Sequence, residues 1–172
     1  WFFDDIIRQS EFEYGGYRVN QISGPMVNLP QFLTDRHIIE DEKSFQRYIS
    51  RLHEFARVIA EVKVQVVNDR DNGTVPPDFV IEKALMGMRS FSEEGAQENP
   101  LITTLADKIK DVDDITEERK VELSQQAAEV VESKVLPQYT EMIALFEELL
   151  TISNHDAGIW RLPQGEEIYR SA

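Results

Sequence analysis

The stretch Asp41-Glu42-Lys43-Ser44-Phe45-Gln46-Arg47-Tyr48-Ile49-Ser50-Arg51-Leu52-His53-Glu54-Phe55-Ala56-Arg57-Val58-Ile59-Ala60-Glu61-Val62 decides the fold class. Its apolar positions are Phe45, Tyr48, Ile49, Leu52, Phe55, Ala56, Ile59 and Val62. They recur in steps of three and four, which places them on one face of a helix. Arg47, Arg51, Glu54, Arg57, Glu61 and Lys63 fall largely on the opposite face. Asp41 or Ser44 is suited to cap the start. Val62-Lys63-Val64-Gln65-Val66 alternates like a strand. It continues a long helical period with no turn signal before it, so helix is the better reading. Asn68 to Gly73 reads as a polar turn, and Asn72-Gly73 ends the element.

Helical punctuation continues downstream. Pro76-Pro77-Asp78 sets a boundary, because a residue before proline avoids the α region. Ile81, Leu85, Met88 and Phe91 form the stripe that follows. Asn99-Pro100 repeats the device with Asn99 as cap, ahead of Ile102, Leu105, Ile109 and Val112. Asp114 and Glu117 have capping-box spacing. A last helix is predicted over residues 116–153, with a stripe of Val121, Ala128, Val131, Val135, Tyr139, Met142, Phe146 and Leu149. Pro137 lies inside it and predicts a kink, since it lacks a donor and its ring meets the carbonyl of Ser133. A helix of about 38 residues is some 57 Å long. A compact domain of this size is only about 40 Å across. Either the helix folds back at Pro137, or the chain belongs to a larger helical body.

Upstream, residues 1–14 are apolar and acidic, and Gly15-Gly16 breaks them. The opening Trp1-Phe2-Phe3-Asp4-Asp5-Ile6-Ile7 has no Met and no basic leader. It reads as the middle of a helix in a longer precursor. Ser23-Gly24-Pro25 is turn chemistry. Leu29-Pro30 is read as the next helix start, with Phe32, Leu33, His37 and Ile38 on one face and Glu40-Asp41 at its end. The expected fold is an all-α antiparallel helical bundle with one long Pro-kinked helix. Residues 1–172 are taken as a single helical region.

Composition narrows the function. Of 172 residues, 18 are Lys or Arg and 32 are Asp or Glu, a net charge of −14. That argues against a nucleic-acid partner, which needs clustered cations. Hydrophobic residues make up 41%, too many for a disordered chain. No apolar run nears the roughly 20 residues of a transmembrane segment. With no Cys, disulfides and thiolate chemistry are excluded.

Local constellations fail on spacing. His53-Glu54-Phe55-Ala56-Arg57 has Arg57 where a zinc-peptidase helix needs a second His. Asn68-Asp69-Arg70-Asp71-Asn72-Gly73 resembles a calcium loop, but Arg70 and Phe79 stand where carboxylates are required. His37 and His155 lack ligand spacing, and His155 cannot face Asp156 on a helix. The acidic run from Asp107 to Glu118 reads as a solvated connection and helix start. No glycine-rich phosphate loop and no Gly-x-Ser-x-Gly turn are present. Catalytic and metal-ligating residues are therefore none in this chain. Gly158-Ile159-Trp160-Arg161-Leu162-Pro163-Gln164-Gly165-Glu166-Glu167-Ile168-Tyr169 combines turns with aromatics. The simpler reading docks Trp160 and Tyr169 on the bundle. The functional one has Arg161 and Tyr169 lining a cleft as ligand-binding donors.

Several landmarks together resemble the bacterial family of unknown function DUF885. They are Tyr48-Ile49-Ser50-Arg51-Leu52, the Gly73…Pro76 or Pro77 turn before a helix, Asn99-Pro100-Leu101, Val135-Leu136-Pro137-Gln138-Tyr139, and Gly158-Ile159-Trp160-Arg161-Leu162-Pro163-Gln164-Gly165 followed by Tyr169. The resemblance covers about Tyr17 to Tyr169. It implies a longer, all-helical lipoprotein, zinc-peptidase-like, whose downstream half carries a His-Glu-x-x-His-type motif. No position here matches that motif. By resemblance, this chain is the non-catalytic N-terminal helical part. It frames a substrate channel opposite the catalytic helices, inert alone, with zinc in the full-length protein. The implied partners are the C-terminal remainder of the parent and a peptide substrate, and the implied location is the cell envelope, periplasm or outside. The alternative is a self-contained acidic helical protein-interaction module.

Overall fold

The computed structural model describes residues 16–163 and 165–171. The opening segment and its Gly15 break lie outside the described residues. Among the described residues there is no strand, and the chain is all-α. In order, the helices are α1 (Pro25–Gln31), α2 (Glu42–Asp71), α3 (Asp78–Ser92), α4 (Gly95–Glu98) and α5 (Pro100–Lys110). α6 (Glu117–Val130), α7 (Leu136–Ile152) and α8 (Gly165–Ser171) follow. A wide π turn, Phe32–Arg36, extends α1, and another, Val131–Val135, joins α6 to α7.

α2 forms as its periodicity predicts. Every stripe residue from Phe45 to Ile59 is buried, and Val62 is half-buried. Asp41 caps it reciprocally with Ser44. The Ser44 N–H donates to Asp41 Oδ1 at 2.6 Å, and the Asp41 N–H donates to Ser44 Oγ at 3.0 Å. Hydrogen bonds from Ser44, its backbone N–H first and then its side chain, hold the Asp41 carboxyl below its ordinary range. Val62 to Val66 stays helical, and so do Asn68 to Asp71. The expected loop from Asn68 thus shrinks to Asn72-Gly73. Gly73 takes φ 82°, the left-handed geometry that ends helices. Asp69 turns inward and accepts from Arg18 Nε at 2.9 Å.

The long helix spans 36 residues from Glu117 to Ile152, or about 54 Å. The perturbation expected from Pro137 is the π turn just before it. There the Leu136 N–H donates five residues back to Val131, giving the proline ring room. α2 runs parallel to this helix. Arg119 pairs with Glu42 across 77 residues, whereas Lys63 pairs with Glu141 and Arg70 with Glu148 across 78. The offset grows by one across the π turn, as an inserted residue requires.

α2 packs directly on the long helix, and α3 and α5 run antiparallel to the long helix, α3 against α7 and α5 against α6. The Asp78 N–H donates to the Asn154 carbonyl at 3.0 Å, Arg89 meets Glu147 at 2.5 Å, and the Phe91 ring stacks on Tyr139 at 4.5 Å. Asn99 is fully buried yet satisfied. It accepts from the Leu101 N–H at 3.1 Å and donates to the Phe91 carbonyl at 2.8 Å. The Tyr48 hydroxyl ties α2 to this corner through the Leu101 carbonyl at 2.8 Å.

Four local expectations are corrected. α1 starts at Pro25, so Pro30 lies inside it rather than at its start. The shared face of Phe32, Leu33, His37 and Ile38 does not form. The helix widens and then extends at His37, burying Leu33 and His37 but leaving Phe32 43% and Ile38 70% exposed. Val121 is 56% exposed, and Leu123 and Ala127 take its place in the core. Thr116, not an Asp114–Glu117 box, caps α6, accepting from the Arg119 N–H at 3.3 Å.

Candidate functional site

The segment Gly158 to Tyr169 is a tight hook. Ile159–Arg161 makes one 3-10 turn, and the Gly165 N–H donates to the Leu162 carbonyl at 2.9 Å. Close approach to backbone requires the glycine at 165, whereas the approach at Gly158 is to the exposed Trp160 ring, which can swing aside. A Cβ on Gly158 would stand 2.1 Å from the Trp160 ring, and one on Gly165 would stand 1.9 Å from the Ile159 carbonyl oxygen. Leu162 anchors the hook in buried surroundings. The expected docking of its aromatics fails: Trp160 is 75% and Tyr169 73% exposed. The turn spends its buried surface on Leu162 and the glycine contacts instead.

Arg161 is half-buried and donates to the Asp156 carbonyl. It also lies near Tyr17. Burial pushes the Tyr17 hydroxyl up, and the Arg161 charge pulls it partly back. No hydrogen bond joins Arg161 to Tyr169 among the described residues. The sequence placed these two in one stretch. The fold directs Arg161 toward its own loop and leaves Tyr169 on the outer side of α8.

The histidines separate into three roles. His53 is exposed, and its neighbour Arg57 is held between Glu54 and Glu61. His155 pairs with Asp78 rather than Asp156, its Nδ1 2.9 Å from Asp78 Oδ1, with the Phe79 ring beside it. Sequence reading missed this pair because 77 residues separate its members. His37 is buried between the Ser44 carbonyl, 3.0 Å from Nε2, and the Arg51 guanidinium at Nδ1. Arg51 can only donate, so Nδ1 accepts and Nε2 carries the proton. Burial first, then the nearby Arg51, Lys108 and Arg47 charges, holds the ring below its ordinary pKa against the raising effect of Ser44. Lys108 closes the corner by donating to the carbonyls of Leu33, Thr34 and His37 at 3.3, 2.5 and 2.7 Å. These contacts use every donor of the ammonium group and make a structural latch.

A zinc centre needs three or more converging His, Cys or carboxylate ligands. Among the described residues no such group exists, so they do not fit the zinc that the sequence resemblance implies for the full-length protein. Nor is any helix among them long and apolar enough to cross a membrane.

Comparison with known proteins places this architecture. The chain matches the crystal structure of the "putative lipoprotein from Colwellia psychrerythraea" at TM-score 0.85 and 28% identity. The match covers 92% of this chain and 28% of that one. No curated protein matches. The family model described as "Bacterial protein of unknown function (DUF885)" matches residues 3–172. From end to end, then, the chain belongs to the DUF885 family.

Proposed function

We propose that this chain is the non-catalytic helical portion of a larger bacterial envelope protein of the zinc-peptidase-like kind. It frames a substrate channel whose metal site is supplied from outside these residues. The carrying observation is the asymmetry of the structural match. Nearly all of this chain superposes on little more than a quarter of the Colwellia protein. That relative's description as a lipoprotein supports the envelope location.

The test compares the 172-residue chain with a full-length family member. Zinc is measured by atomic absorption and peptide cleavage with a quenched fluorescent peptide library. The full-length protein is expected to hold stoichiometric zinc and cleave peptides, and the short chain to do neither. Stoichiometric zinc in the short chain, or no zinc in the long one, would overturn the assignment.

A further inference from the structure

A groove of about 430 Å³ opens between α1 and α3, within the size range of small-ligand sites. Met26 on one side and Ala84, Met88 and Gly87 on the other give it an apolar lining. Three of its features have no account in the fold. Gly87 sits in the middle of α3, where glycine is the poorest helix former after proline. A Cβ there would meet nothing within 4 Å, so no contact inside the chain requires a glycine. Its effect is to leave the groove one side chain wider. Gln21 lines the same groove, and its Oε1 is buried without a hydrogen-bond donor. Lys83 stands exposed at the rim and makes no ion pair or hydrogen bond among the described residues.

An occupant that answers all three needs an apolar body, an N–H donor and a negative charge. A fatty acid has no N–H. An internal peptide segment whose side chains are all apolar has no carboxylate. The last residue of a peptide has all of them. We propose that the groove binds the free C-terminal residue of an apolar peptide, its side chain over Gly87, its N–H on the Gln21 amide once that side chain turns its buried Oε1 outward, and its carboxylate on Lys83. This deepens the peptide-handling reading above and rests on it for the source of the peptide.

Binding can be tested on the 172-residue chain without metal. Acetyl-Ala-Leu-Leu as the free acid, the same peptide as its C-terminal amide, and decanoate are each titrated by calorimetry. Amide shifts are followed by NMR. The free acid is expected to bind and to shift the Ala84 and Gly87 signals, with the amide at least tenfold weaker. Lys83→Glu should weaken the free acid tenfold and erase its advantage over the amide. Gly87→Leu should abolish binding by filling the open space. The surface change Lys83→Glu keeps the test decisive should Gly87→Leu fail to fold. Equal binding of acid and amide, indifference to both substitutions, preference for decanoate, or no shift at millimolar peptide would each overturn the assignment. None of these readouts uses zinc or hydrolysis, so failure here leaves the channel reading standing, and failure there leaves this one measurable.

Discussion

The Tyr139 hydroxyl donates to the Met26 carbonyl at 3.0 Å across 113 residues of chain. Met26 is the residue four before Pro30, and in an ordinary helix its carbonyl would accept from residue 30. Proline has no N–H to give. A tyrosine on the long helix therefore supplies the donor that a proline on α1 withholds. Tyr139 is fully buried, and burial pushes its phenol well above the ordinary value, so it stays a donor throughout the physiological range. Tyr139→Phe should leave that carbonyl unsatisfied and cost about 1–3 kcal/mol. Beside Pro30→Ala, which restores the helical N–H, the same change should cost under about 1 kcal/mol. Urea unfolding of the four proteins measures the cycle. Equal costs in both backgrounds would show that the bond does not replace the missing one.

The corner at His37 predicts an acid-sensitive loss of stability. Its folded pKa lies below the ordinary 6.5, so near that pH the unfolded chain binds more protons than the folded one. Stability then rises with pH across that window. The His37 contribution is complete above about pH 6.5 and is lost as pH falls toward the lower folded value. A proton on Nδ1 would set two donors, Arg51 and the imidazolium, against each other. Asp41 likewise loses its contribution as pH falls, but in a separate window, below its ordinary 3.8. His37→Gln keeps a neutral donor and acceptor at every pH. Unfolding free energies between pH 8 and pH 5 should fall in the parent chain and flatten in this variant.

Two glycines should respond in opposite directions. Gly165→Ala forces a methyl into the Ile159 carbonyl, which is backbone and cannot step aside. The hook must open, and protease cleavage after Arg161 should accelerate at least tenfold. Gly87→Ala meets open space in mid-helix and should stabilise the chain by about 0.5–1 kcal/mol. Thermal melts and limited proteolysis separate the two cases.

What could be read from sequence was whatever depends on near neighbours. The stripe from Phe45 to Ile59, the Asp41 and Asn99 caps and the Pro76-Pro77 boundary are all local patterns, and each is found as read. The start of α1 was misread because its evidence is remote. Proline at 30 suits a first turn, and only the distant Tyr139 makes it tolerable inside a helix. The His155–Asp78 pair and the Arg18–Asp69 bridge were invisible for the same reason. The hook was legible as glycine-rich and aromatic. The outward direction of Trp160 was not, because composition does not say which of Trp160 and Leu162 takes the buried side.

The π turn before Pro137 has two possible causes, and a pair of variants separates them. If the ring alone forced it, Pro137→Ala would restore a plain α-helix. That would rotate everything downstream by one residue and turn Tyr139, Met142, Phe146 and Leu149, all buried, out of the core. It would also break the 78-residue offset of the Lys63–Glu141 and Arg70–Glu148 pairs. Burial of four large side chains outweighs one strained hydrogen bond, since each is worth about 1.5–3 kcal/mol. Pro137→Ala should therefore keep the wide turn and change stability by less than about 1 kcal/mol. Deleting Ser133, an exposed residue within the turn, removes the extra position itself. It should cost more than about 3 kcal/mol, because the proline then meets a regular helix, while the core downstream keeps its register. Chemical denaturation ranks the two, and a deletion tolerated as well as the substitution would mean that the proline ring does not need the wide turn.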